Sequence, residues 1–315
     1  MKNLITLSLL ISTFTLGLSL TACNDSKNKG SNREHQQHNH NDNIFACPMH
    51  PEETGRKGEK CPKCGMDLVA ISNENQKNVE VTLTTEPQVI EAGIPAQLAF
   101  HFRENGKNVN LEVSHEMKLH LMVVNKNLNW FRHIHPKEQA DGSFTISETF
   151  PNGDNYFLFT DFKPQGKHPA LDKKEIIVKG ASENKNVNFS DNFISFVDGY
   201  KVTLENGSDL KTNRSQALEI SVEKDGKKLV ESDIENYLGA TAHIAMISKE
   251  NLDFLHIHPI SEKPFPIYAE THIEKAGKYR IWVEFQTNGK VHTADFTVNV
   301  AEGEKSEGDH IHNHY

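Results

Sequence analysis

From about residue 78 onward the chain alternates apolar and polar positions in short runs: Val79-Glu80-Val81-Thr82-Leu83, then Gln97-Leu98-Ala99-Phe100-His101-Phe102, then a turn at Glu104-Asn105-Gly106-Lys107. A period of two puts apolar side chains on one face of an extended strand, and Asn-Gly or Asp-Gly pairs supply the backbone that tight hairpins need. Runs of this kind recur to about residue 300 with no sustained helical period. The pattern predicts a mainly β protein made of antiparallel, immunoglobulin-like β-sandwiches.

The pattern occurs twice. His120, Lys126, Phe131, His133, Ile134, His135 and Pro136 recur as His243, Lys249, Phe254, His256, Ile257, His258 and Pro259, at a constant offset of 123. The offset persists through Tyr156/Tyr279, Phe162/Phe285 and Gly166/Gly289, whereas Asn105-Gly106-Lys107 matches Asp225-Gly226-Lys227 at 120. A three-residue length difference therefore falls between the two matches. Two tandem domains follow, spanning 78–182 and 187–301 and joined through Ala181 to Asn186; two copies make a duplication rather than a solenoid.

Each repeat carries His-x12-His-x-His-Pro in the context strand, turn, strand. A hairpin centred between Asn127 and Leu128 sets His120 opposite His135 and Met122 opposite His133, on one sheet face. The same register gathers His243, His256 and His258 in the second copy, where Ala245 replaces the methionine. A slip of one residue would turn His120 to the other face. Three imidazoles suit zinc, copper or nickel, and a thioether favours copper. The other reading makes these histidines hydrogen-bonded framework residues, and duplication preserves a framework as readily as a ligand set. Asp161 and Glu284 occupy equivalent places and read as solvated strand-end charges, with orientation of an imidazole as the alternative. His101, His168 and His292 have no counterpart in the other copy, His272 corresponds to Thr149, and His115 precedes the first His-bearing strand.

Ahead of the repeats stands a denser cluster. Cys47-Pro48-Met49-His50 and Cys61-Pro62-Lys63-Cys64-Gly65-Met66 give C-x2-H-x10-C-x2-C spacing, in which each tight pair offers two ligands to one soft ion. Zn(II) and Cu(I) both fit three thiolates and an imidazole, with Met49 and Met66 as additional thioethers for Cu(I). A disulfide, or a zinc knuckle that only holds the segment together, would be the purely structural use. The run from Phe45 to Glu52, with Gly58 and Lys60 to Leu68, resembles the heavy-metal-binding domain at the N-termini of copper/silver P-type ATPases and of efflux-pump adaptors. The resemblance covers residues 44–70 and implies a small zinc-ribbon-like domain handling copper or a similar ion outside the cytoplasm.

The first 22 residues have the form of a signal peptide, with Lys2 at the start and an apolar run from Ile5 to Leu20. Leu20-Thr21-Ala22-Cys23 resembles a bacterial lipobox, which implies Cys23 as the lipidated first residue of the mature protein and a membrane anchor. The whole chain thus looks like a bacterial heavy-metal-binding lipoprotein, expected in the cell envelope at the periplasm or outer membrane. With Cys23 set aside, Cys47, Cys61 and Cys64 are an odd number of thiols in an oxidising compartment, which metal ligation accommodates.

Asn24 to Asn43 is polar and lacks apolar periodicity, as expected of a tether, and contains His35, His38 and His40; residues 302–315 form a similar tail with His310, His312 and His314. A net charge of −9 without a basic patch argues against nucleic acid as a partner. No nucleophile elbow, H-E-x-x-H, phosphate loop or dinucleotide fingerprint occurs, so the sequence gives no support for an enzyme. Three readings result. One is an anchored extracytoplasmic protein that sequesters, buffers or transfers copper or a related ion, with a metal efflux or transfer protein as its partner. Another is an interaction or adhesion module with a structural zinc. The last, a pump adaptor, lacks the helical hairpin it would require.

Overall fold

A computed structural model describes residues 79–114, 116–167, 169–182, 188–261 and 263–304, with the backbone of 44–46, 54–55 and 69–71. The described part is mainly β: apart from two short 3₁₀ turns, every regular element in it is a strand. Near the N-terminus Ile44–Ala46 lies between Thr54–Gly55 and Val69–Ile71 in a small antiparallel sheet. Ala46 immediately precedes Cys47, and it pairs with both Thr54 and Val69, which frame the segment bearing Cys61 and Cys64.

The first repeat is a sandwich of two sheets. One runs Phe131–Ile134, Leu119–Asn125, Asp154–Pro164, Ala170–Lys179, closed by a short parallel pairing to Ile90–Glu91. The other runs Lys137–Glu138, Phe144–Thr149, Pro95–Glu104, Glu80–Glu86. Alternation explains the core: Leu98, Phe100 and Phe102 of the second sheet meet Leu119, Leu121, Val123, Tyr156, Leu158 and Phe162 of the first. Each such side chain contributes about 1.5–3 kcal/mol on burial.

The second repeat reproduces this plan at the offsets read from the sequence. Leu119–Asn125 answers to Ala242–Ser248, Phe131–Ile134 to Phe254–Ile257, and Asp154–Pro164 to Gly277–Thr287. Before the length difference, Pro95–Glu104 answers to Ser215–Lys224. The hairpin turns match too: Asn105-Gly106 and Asp225-Gly226 all have positive φ, between 50° and 76°, as a two-residue turn with right-handed strand twist demands. Tyr156 and Tyr279 are buried in equivalent places, and each hydroxyl donates to the carbonyl four residues upstream, Asn152 at 3.0 Å and Lys275 at 2.8 Å.

The two sandwiches pack against each other through the outward faces of their His-bearing sheets. Met122, Val124, Leu128 and Phe159 from the first copy form one buried cluster with Ala245, Ile247 and Trp282 from the second. This is why Leu119–Asn125 and Ala242–Ser248 are buried at all seven positions: odd residues face their own sandwich and even ones the other repeat, or the reverse in the second copy. The interface is self-complementary, as a twofold between two copies requires.

Candidate metal centre

The outward face that supplies the apolar seam also carries the histidines. In the first repeat the pairing is His133↔Met122 and Ile134↔Leu121, the expected register, which brings His135 level with His120. In the second, Ala245↔His256 and Ile244↔Ile257 do the same for His258 and His243. Met122 is buried in the seam between the repeats, where Ala245 is its counterpart.

Three ring nitrogens converge in the first repeat. His120 Nδ1 lies 3.2 Å from His133 Nε2, and His135 Nε2 lies 3.2 Å from the former and 3.1 Å from the latter. The opposite edges of two of these rings are tied down. His120 Nε2 is 3.1 Å from the Ser114 carbonyl, and His133 Nδ1 is 2.9 Å from Glu284 Oε2. A carbonyl and a carboxylate only accept, so both outer nitrogens carry the proton, and in neutral rings the inner nitrogens present lone pairs. Two lone pairs aimed at each other across 3.2 Å repel unless a proton or a cation stands among them.

The donor triangle suits a metal. Adjacent ligands of a tetrahedral ion at zinc–imidazole distance lie about 3.3 Å apart, close to the 3.1–3.2 Å edges found. Three such ligands leave a fourth position open. Burial, reinforced by the neighbouring His133, His120 and His243 rings, pushes the His135 imidazole down to about 2, so it is held in the neutral form that ligates.

The second repeat repeats the arrangement of the rings. Ring centroids of His243, His256 and His258 are 5.8, 5.0 and 4.3 Å apart, against 5.4, 5.0 and 4.5 Å for His120, His133 and His135. His243 Nε2 donates to the Tyr237 carbonyl at 2.9 Å, as His120 does to Ser114, and His256 Nδ1 donates to Asp161 Oδ2 at 2.7 Å. Nδ1 of His243 and Nε2 of His256 and His258 are all buried atoms.

Asp161 and Glu284 are therefore not solvated strand ends. They stand inside Asp154–Pro164 and Gly277–Thr287, and alternation aims them outward into the other repeat. Each lies in register with a histidine of its own copy, Asp161↔His120 and Glu284↔His243, yet bonds a histidine of the other. The second triad faces the first: His120 and His256 centroids are 5.2 Å apart, His133 and His243 5.1 Å. His133, His243 and His256, drawn from both copies, also offer ligand atoms within 4.8 Å of one another.

Other histidines fall elsewhere. His292 is buried between Asp198 and Thr287, with its Nδ1 2.8 Å from Asp198 Oδ2 and its Nε2 3.0 Å from Thr287 Oγ1. His101 and His272 stand in strands Pro95–Glu104 and Ile267–His272 and are not members of either triad. Cys23, Cys47, Met49, His50, Cys61, Cys64, Met66, His115, His168 and the tail histidines lie outside the described residues.

Comparison with known families bears on both parts of the chain. The model for a domain of unknown function, DUF8832, matches residues 74–174 and again 195–302. The chain belongs to the DUF8832 family. Its two DUF8832 segments coincide with the two sandwiches, and residues 44–71 match the heavy metal binding domain. No curated protein matches. Solved structures that resemble the DUF8832 chain include fibronectin(III)-like modules of Clostridium thermocellum CbhA, at 12% identity over 75% of this chain and 100% of that one, TM-score 0.21. A 1.5-MDa bacterial ice-binding adhesin matches at 12% over 74% and 67%, TM-score 0.23. The Yersinia pseudotuberculosis adhesin InvE matches at 14% over 73% and 62%, TM-score 0.23.

Proposed function

We propose that this DUF8832 protein is an extracytoplasmic, membrane-anchored binding protein for copper or a related soft ion, and that it sequesters, buffers or transfers the ion rather than transforming a substrate. The observation that carries the reading is the triangle of His120 Nδ1, His133 Nε2 and His135 Nε2, in which bonds to Ser114 and Glu284 turn the lone pairs of His120 and His133 inward. A framework role would put an Nε2 proton of His135 between the two lone pairs where the ion would otherwise stand, and metal titration separates the two. The heavy metal binding domain at 44–71 supplies a second donor set, of thiolates with one imidazole, on the same chain. Thiolates suit Cu(I) and Zn(II), imidazoles suit both metals, and copper in two donor environments fits a protein that takes up an ion at one place and holds it at another. The N-terminal Cys23 anchor would keep this traffic at the membrane surface.

Competitive titration of the soluble chain from Asn24 with Cu(I) and with Zn(II), beside a Cys61→Ser/Cys64→Ser variant, tests the proposal. Tight binding that survives the cysteine changes and is lost on His120→Gln/His135→Gln supports it. A single zinc lost with the cysteines, and no histidine-dependent ion, would leave only a structural zinc domain.

A further inference from the structure

The two triads share one buried chamber at the seam between the repeats. Their internal geometry agrees in ring tilt as well as spacing: the interplanar angles are 23°, 82° and 66° in the first and 27°, 84° and 57° in the second. The bonds that orient them are exchanged by the same twofold, His133 to Glu284 and His256 to Asp161. Across the seam, the His120–His256 and His133–His243 centroid separations of 5.2 and 5.1 Å are no greater than the largest within a triad, 5.4 and 5.8 Å.

We infer that the six histidines form a dinuclear centre that takes two ions side by side, one per triad, assembled only when the two repeats dock. The inference rests on the metal-binding reading above and adds the nuclearity, the pairing and the dependence on both copies. Six imidazoles around a single ion would need all six inner nitrogens on one sphere, whereas the three of the first triad already stand 3.1–3.2 Å from one another, the spacing one tetrahedral ion asks for, and the rings of the second triad repeat its separations and tilts. The carboxylates are arranged for a pair as well. Glu284 stands in register with His243 of its own triad and bonds His133 of the other, and Asp161 does the converse with His120 and His256. Carboxylate–histidine pairs of this sort fix the tautomer and raise the basicity of a metal-bound imidazole. Each triad is therefore completed by the other repeat.

Counting ions in four forms of the full chain tests this. The forms are the wild type, His120→Gln/His135→Gln, His243→Gln/His258→Gln, and the two pairs of changes combined. Each is loaded anaerobically with Cu(I), in parallel with Zn(II), against a competing chelator, and checked by circular dichroism and gel filtration for retention of the β fold. Glutamine keeps side-chain volume, and His135 and His258 are only partly buried, so the fold is expected to persist. Should a paired form fail to fold, the single changes His135→Gln and His258→Gln replace it in the count. Two ions are expected to depend on the histidines, with one lost in each paired form and two lost in the combined form. If the combined form loses only the one ion that either paired form loses, a single shared ion occupies the chamber, which overturns the dinuclear centre and leaves histidine binding in place. If no form loses an ion, the metal reading of the histidines fails with it.

Discussion

Phe131 of the first repeat stacks on Trp282 of the second with ring centroids 4.8 Å apart and planes 11° from parallel. The twofold returns the same contact as Phe254 on Phe159, at 4.8 Å and 16°. Phe131 and Phe254 begin the strands that carry His133 and His256 and lead directly into His135 and His258, so these stacks fix where the two triads meet. Trp282→Ala removes the larger ring and should cost about 3–5 kcal/mol, part of it from the seam and part from the second sandwich. A lowered melting temperature together with loss of histidine-dependent ions is the expected result; a destabilised protein that still binds both ions at full affinity would show that the seam does not set the site.

The exchanged carboxylates give a sharper test, because the affected ligand belongs to the other repeat. Glu284→Gln keeps the shape of the side chain but replaces an oxygen that can only accept with an amide that can also donate, so His133 loses its fixed tautomer. Loss of such a partner typically lowers metal affinity 10–100-fold. The drop should fall on the ion held by His120, His133 and His135, measured in the His243→Gln/His258→Gln background, although Glu284 lies in the second repeat. Asp161→Asn should weaken the other triad through His256.

Much of the fold was legible in the alternation and in the duplication, and the reason is local: strict period-two strands and Asn-Gly turns fix register before any long-range contact is known. The pairing of His133 with Met122 follows from counting outward from the turn. The docking of the repeats was harder to read, because Met122, Val124 and Phe159 look like ordinary strand residues taken one at a time. A signal did exist. Leu119 to Val124 is apolar on both faces apart from His120, as is Ala242 to Ile247 apart from His243, and a strand so patterned needs cover on both sides. Asp161 was misread for a related reason. It stands between Thr160 and Phe162 in a run from Tyr156 to Phe162 that is largely buried, so a carboxylate there needs a specific partner, and that partner lies 95 residues away in sequence.

His292 serves as an internal control for what a framework histidine looks like. Both its nitrogens are used, by Asp198 and Thr287, and its ring packs on Tyr200 and Phe285 at 4.7 and 5.2 Å. His292→Ala should lower stability by about 1–3 kcal/mol, since Thr287 and Tyr200 hydroxyls buried together lose a partner. Metal stoichiometry should not change, because among the described residues no donor triangle includes it. A variant that lost an ion would place His292 in a site its geometry does not describe.

The thiolate cluster and the histidine chamber make separable demands, and that separation decides whether the chain stores an ion or passes it on. Cys61→Ser/Cys64→Ser removes half of the Cys47, His50, Cys61 and Cys64 donor set and should abolish tight Cu(I) binding there, since a hydroxyl cannot replace a soft thiolate. The histidine-dependent ions should remain at equilibrium. Kinetics should differ. If the cysteine domain collects ions for the chamber, stopped-flow loading of the histidines from a Cu(I)–chelator complex slows in the cysteine variant while the final occupancy is unchanged. Equal loading rates with and without the cysteines would mean the chamber fills directly from solution, and the two sites would then be parallel stores rather than steps in a transfer.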